Sequence, residues 1–233
     1  MSDTGRAKMG DIIEHSLVEV FRLPLDTGQT RVILRNTKGD IEGIFHRAEG
    51  PAGVVWVSGS LGGLDGPSFG IFETLSATLV KYGTSSLRLD YRLPGDFDQC
   101  VHDVLVGVNF LKQSGVDYIA LVGHSFGAAV VIMAATMSTE VKAVVGLSSQ
   151  TYGTHRVSEL SPKPLLLIHG DRDRNLPVRS SWHIFERAKE PKDIVIYKGS
   201  GHFLRECRQE LYELLRSWLI DKLKTKGQDI CLG

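Results

Sequence analysis

At 233 residues, 42% hydrophobic and 23% charged, the chain suits one large α/β domain with a filled core and is short for two. Its 27 basic residues balance 27 acidic ones, which gives no overall field drawing it to nucleic acid or an anionic membrane. Cys100, Cys207 and Cys231 are odd in number and lack CxxC or metal-ligand spacing, which argues against a disulfide framework and for a reducing, cytoplasmic setting.

Residues 1–16 are polar and carry no signal-like apolar run, and a single domain is expected from 17 to 233. No stretch reaches the 18 apolar residues of a membrane span. Two β-prone runs, "TRVILRN" (30–36) and "DIEGIFHR" (40–47), flank a Lys-Gly-Asp turn and read as an antiparallel hairpin. The texture then changes. "GVVWVSG" (53–59) is nearly continuous in apolar residues, as in a strand buried on both faces.

From there, strands and helices alternate. The strands are "SSLRLDY" (85–91), "YIALVG" (118–123), "VKAVVGLS" (141–148), "PLLLIHG" (164–170) and "DIVIYKG" (193–199). The helices are read at 69–83, 96–115, 128–138, 180–190 and 204–223. This alternation predicts an α/β fold: a mostly parallel twisted sheet, an amino-terminal antiparallel hairpin, and helices on both faces. In such sheets ligand chemistry gathers in loops at the carboxyl ends of strands.

One of those loops is Gly123-His124-Ser125-Phe126-Gly127, between a strand and a helix. The glycines let strand and helix approach closely while the serine is held above the sheet. The competing reading is an ordinary buried turn with a serine N-cap. A nucleophilic serine needs a base, and the base an orienting acid. Of the eight histidines, His202 in "YKGSGHF" lies on a glycine-flanked loop just past the last strand. His15 and His46 are amino-terminal, His102 and His183 fall in helices, and His155 lies in a polar loop; His124 sits in the turn itself and His169 ends a strand. "GDRDRNLPV" offers Asp171 and Asp173 as the acid; Asp173 lies deeper in the loop, with Pro177 to fix the turn.

The motifs "GHSFG", "HGDRDRNLP" and "GSGHF", in the order serine, acid, histidine, resemble the α/β-hydrolase superfamily, over nearly the whole chain from the hairpin onward. The resemblance implies an α/β-hydrolase fold and a Ser125–His202–Asp173 triad, since Gly170, Asp173 and Pro177 match the family's Gly-x-x-Asp-x-x-x-Pro loop. It also implies an oxyanion hole from the backbone N–H groups of Phe126 and Ser60, with Leu61 as fallback for Ser60. Where relatives often carry His-Gly this chain has Ser58-Gly59, a departure that backbone donors tolerate.

The small size is similar to dienelactone-hydrolase-type and related small esterases, although those hydrolases are associated with a cysteine nucleophile and this chain has Ser125. Only 149–163 separates two strands where relatives insert a helical lid, so no large lid domain is expected. Leu61, Phe69, Tyr152, Leu176 and Phe203 are candidates to line a substrate pocket or to belong to the core. The expected partner is a small acyl substrate, an ester or thioester before a peptide, with no metal or organic cofactor, no nucleic acid and no membrane. A non-catalytic binding or adaptor protein on the same scaffold, and an acyltransferase or peptidase using the same triad, are the competing functions.

Overall fold

The computed structural model describes residues 17–25 and 28–224. The polar segment 1–16, with His15, and Cys231 lie outside the described residues.

Nine strands form one sheet: β1 (Glu19–Pro24), β2 (Thr30–Asn36), β3 (Gly39–His46), β4 (Ala52–Val57), β5 (Thr84–Leu89), β6 (Tyr118–His124), β7 (Val141–Leu147), β8 (Leu165–Gly170) and β9 (Lys192–Tyr197). Their spatial order is β1-β2-β3-β5-β4-β6-β7-β8-β9. The first four in this order pair antiparallel and the rest parallel. The helices are α1 (Pro67–Val80), α2 (Phe97–Gln113), α3 (Phe126–Met137), α4 (Arg179–Arg187) and α5 (Arg208–Lys222). β4 lies between β5 and β6, so the chain first steps to one side of β4 and then returns to the other. Connections diverge at such a switch point and open a crevice above the strand ends.

The alternation along β4 shows how both faces are filled. Val55 and Val57 join one apolar cluster with Leu105 and Val108 of α2 and Val130 of α3. Val54 and Trp56 join a second with Phe72 and Leu75 of α1 and Leu215 and Leu219 of α5. All six residues of β4, β5 and β8 are buried, which requires the helix layers on both sides. α2 is capped by Asp96, whose side chain accepts from the Gln99 amide at 3.1 Å.

The structure corrects the sequence reading in three places. β1 was not expected; it is an edge strand whose residues are nearly all exposed, held by its ladder to β2 and by the packing of half-buried Val20 on the core. The helix expected from Phe69 has Ser68, Phe69 and Gly70 at φ 53°, 57° and 79°, so its regular right-handed part begins at Ile71. The helix expected from Leu204 begins at Arg208, because Leu204 itself takes φ 52°. The remaining strands and helices fall where they were expected, to within a few residues at their ends. Residues 149–163 contain only a single 3-10 turn, Val157–Glu159, and no large lid. Among the described residues, no helix is long and apolar enough to cross a membrane.

Candidate active site

The site is built outward from the junction of β6 and α3. Ser125 takes φ 59° and ψ −117°, a conformation that lifts its side chain out of the strand direction. A Cβ on Gly123 would lie 2.1 Å from the Gly127 carbonyl oxygen, and one on Gly127 would lie 2.1 Å from the Ser58 carbonyl oxygen. Glycine at both positions is therefore what allows α3 to start against β4 and β6. The Ser125 amide donates to Leu147 of β7 at 2.8 Å, which ties the turn to its other neighbour. Ser125 stands at the N-cap position of α3 but makes no side-chain capping bond, so its hydroxyl is available to other partners.

That partner is His202. His202 Nε2 lies 3.1 Å from Ser125 Oγ, and its Nδ1 lies 2.7 Å from Asp173 Oδ2. Since Nδ1 faces a carboxylate it carries the proton, which leaves Nε2 to accept from the serine hydroxyl. Asp173 Oδ1 accepts the amides of Asn175 and Leu176, each at 2.8 Å, an Asx-type turn. Burial pushes the Asp173 carboxyl up, but the Leu176 amide, His202 and the Asn175 amide together outweigh it and hold the group below its ordinary value. Asp171, the other candidate, instead accepts the Gly199 amide at 2.6 Å and joins two loops.

Two histidines without a role in the sequence reading belong to the same cluster. His124 donates from Nε2 to the His202 carbonyl oxygen at 3.0 Å and packs at a tilt of 51° against the His202 ring, with centroids 4.9 Å apart. Burial lowers the His124 pKa to about 4, so His124 puts no positive charge beside His202 near neutral pH. His169, fully buried, reaches the same Asp173 oxygen as His202. A histidine directly before the serine and another at the end of β8 were visible in the sequence, but neither spacing says what a ring nitrogen faces.

The loop after β4 passes over the serine: a Cβ on Gly59 would sit 3.7 Å from Ser125 Cβ. Asp90, after β5, holds this loop by accepting the Gly63 amide at 2.7 Å and the Tyr91 amide at 2.9 Å on one oxygen. Ser60 and Leu61 lie on this exposed loop, Leu61 at 93% exposure, and Phe126 opens α3.

The other candidates are spread around the rim. Phe203 packs its ring against His202 and His124, and Phe69 lies under Arg205, which also covers Phe203. Tyr152 packs edge-on against Phe97, which packs in turn on Phe126. Leu176 contributes its amide to Asp173 and its carbonyl to His169.

A mostly parallel sheet with antiparallel strands at its amino-terminal edge, and a serine raised between β6 and α3, make this an α/β-hydrolase fold. Within that class the chain belongs to the family described as "Platelet-activating factor acetylhydrolase, isoform II", whose model matches residues 83–230. Solved structures of similar fold include a dienelactone hydrolase from Anabaena variabilis, with TM-score 0.73, 17% identity and coverage of 84% of this chain and 98% of that one. GrgF, an α/β hydrolase from Penicillium sp. sh18, superposes with TM-score 0.70 at 17% identity over 86% of this chain and 99% of its own. Est1E from Butyrivibrio proteoclasticus gives TM-score 0.68 at 17% identity over 87% and 98%. Among curated proteins, YfhR of Escherichia coli (strain K12) is 38% identical over 50 residues, 22% of this chain and only 18% of YfhR.

Proposed function

We propose that this protein is a serine hydrolase that cleaves a small carboxylic ester or thioester through an acyl-enzyme. The observation that carries this reading is the continuous hydrogen-bonded line from Ser125 Oγ through His202 to Asp173, at 3.1 and 2.7 Å. Ser125 Oγ attacks the acyl carbonyl carbon while His202 Nε2 takes its proton. The carbonyl oxygen becomes an oxyanion that the Ser60 and Phe126 amides receive, and Asp173 stabilises the imidazolium. As the tetrahedral intermediate collapses, His202 returns the proton to the leaving alkoxide or thiolate. Water, deprotonated by the same nitrogen, then releases the carboxylic acid and restores Ser125.

The absence of a large lid favours small, freely diffusing substrates, and the family's name, that of an acetylhydrolase, supports a short acyl group. Leu61, Tyr152 and Phe203, with Phe69 beside Phe203, are the exposed apolar groups available around the opening to contact the acyl or alcohol part, and Leu176 stands half-buried beside Asp173.

Labelling of the purified protein with a fluorescent fluorophosphonate tests the reading, followed by a panel of acyl esters and thioesters of increasing length. The parent is expected to label rapidly and to favour short chains. Ser125→Ala and His202→Ala are expected not to label and to lose about 10⁴-fold or more in kcat. Turnover by Ser125→Ala equal to that of the parent sinks the assignment. A folded parent that neither labels nor turns over any ester returns the scaffold to a binding role.

A further inference from the structure

His169 is completely buried at the end of β8 and takes no part in the proton transfers above. Its Nε2 lies 3.0 Å from Asp173 Oδ2 and 3.1 Å from the Leu176 carbonyl oxygen, and its Nδ1 lies 2.7 Å from Ser181 Oγ on α4. Both neighbours of Nε2 are acceptors, so Nε2 carries the proton. Nδ1 then accepts from the Ser181 hydroxyl, which fixes the tautomer from behind. Asp173 Oδ2 is thus shared between two imidazoles, His202 at 2.7 Å and His169 at 3.0 Å, while Oδ1 is occupied by two amides.

We propose that His169 is a positioning residue of the triad: its Nε2–H, braced by Ser181, holds Asp173 Oδ2 in the one orientation that faces His202 Nδ1. This rests on the triad assignment and adds a fourth member acting through the acid. The geometry explains why a donor is needed at this position. The side chains of Asp173 and His169 are both fully buried, and a carboxylate in that setting needs hydrogen-bond donors in place of water. The Nε2–H also satisfies the Leu176 carbonyl, and so fixes the loop segment whose amide binds Oδ1. The titratable groups whose charges act on His169 are Asp173 and His202, and burial keeps His169 itself neutral by lowering its pKa.

A matched pair of amides separates a positioning role from mere packing. The side-chain nitrogen of Gln reaches close to the site of Nε2, whereas that of Asn reaches only to the site of Nδ1. His169→Gln is expected to keep kcat within about 5-fold of the parent, because it restores the donor to Asp173. His169→Asn is expected to lower kcat by about 10²-fold with KM unchanged, the scale of a small misplacement of a reacting group. It is also expected to shift the acid limb of kcat/KM to higher pH, because Oδ2, stripped of one donor, favours the protonated imidazole of the base. Thermal melting of both variants accompanies the kinetics. Folded Asn and Gln variants that lose activity equally, or that both match the parent in rate and acid limb, overturn the proposal. A parent without Ser125-dependent turnover overturns the triad assignment itself, and the inference falls with it.

Discussion

The strained geometry at Ser125 is maintained by what surrounds it rather than by the serine. Positive φ in a residue that carries a Cβ costs on the order of 1–3 kcal/mol, and the turn persists because β4, β7 and α3 leave no alternative path. Gly127 is one of the tight points, since any side chain there meets the Ser58 carbonyl of the loop that passes over the site. Gly127→Ala is therefore expected to destabilise the fold by about 2 kcal/mol or more and to abolish fluorophosphonate labelling, measured by denaturant unfolding alongside the labelling rate. A variant with unchanged stability and labelling would mean that α3 can move outward freely. The two flanking glycines and the order serine, acid, histidine were legible in the sequence because steric need and chain order are local properties. The separate tasks of Asp171 and Asp173 were less so. Two residues apart on one loop, they differ only in which neighbour each side chain reaches, the Gly199 amide or His202.

At the level of elements, the loop between β5 and α2 is held by a buried ion pair. Arg92 Nε donates to Asp103 Oδ1 at 2.6 Å and its amide to Oδ2 at 2.9 Å, with Asp103 fully buried on α2. The same guanidinium reaches the Lys38 carbonyl at 2.7 Å and so ties the amino-terminal hairpin to the helix. Removing one partner leaves a desolvated charge, so Asp103→Ala is expected to cost about 3–5 kcal/mol in chemical denaturation. A loss under about 1 kcal/mol would mean that water reaches Arg92 and replaces the carboxylate. The start of α1 shows the opposite dependence, on a distant element. Its left-handed residues are fastened by the Ser68 amide to Phe203 O at 2.9 Å and by the Ser68 hydroxyl to Leu204 O at 3.0 Å. Arg208 adds bonds to the Ser68 and Phe69 carbonyls. These contacts join the loop after β4 to the loop of His202, and no local pattern near Ser68 announces them.

Taken as a whole, the molecule keeps several titratable groups away from water, and its stability depends on pH accordingly. Burial, then the nearby positive charge of Arg88, lowers the His46 pKa to about 4, and burial lowers that of His124 to about 4. Both folded-state values lie below the ordinary 6.5. The contribution is therefore complete above pH 6.5 and is lost as pH falls toward 4, where the unfolded chain already binds the protons. The unfolding temperature is expected to drop across that window at low ionic strength, and His46→Leu is expected to make the drop shallower. An equally steep drop in His46→Leu would show that this histidine does not titrate on unfolding. His46 suits the substitution because its Nε2 has no hydrogen-bond partner among the described residues, so an apolar replacement leaves none of them newly unsatisfied there.

The sequence by itself determined the class of fold, the places of most strands and helices, and the order of the reactive loops. Each is carried by local signals: continuous apolar runs in doubly covered strands, helical spacing, and glycines where backbones cross. Only the tertiary structure decided which acid meets His202, that His124 and His169 close around the same pair, and that β1 completes the edge of the sheet. Those outcomes depend on directions and distances between elements far apart in the chain. His169 and Ser181 are 12 residues apart, and His124 and His202 are 78 apart, and they meet only because parallel strands bring their carboxyl ends to one edge. For β1 the reason is different: it is an edge strand with five of its six residues exposed, so its side chains carry little apolar pattern to read.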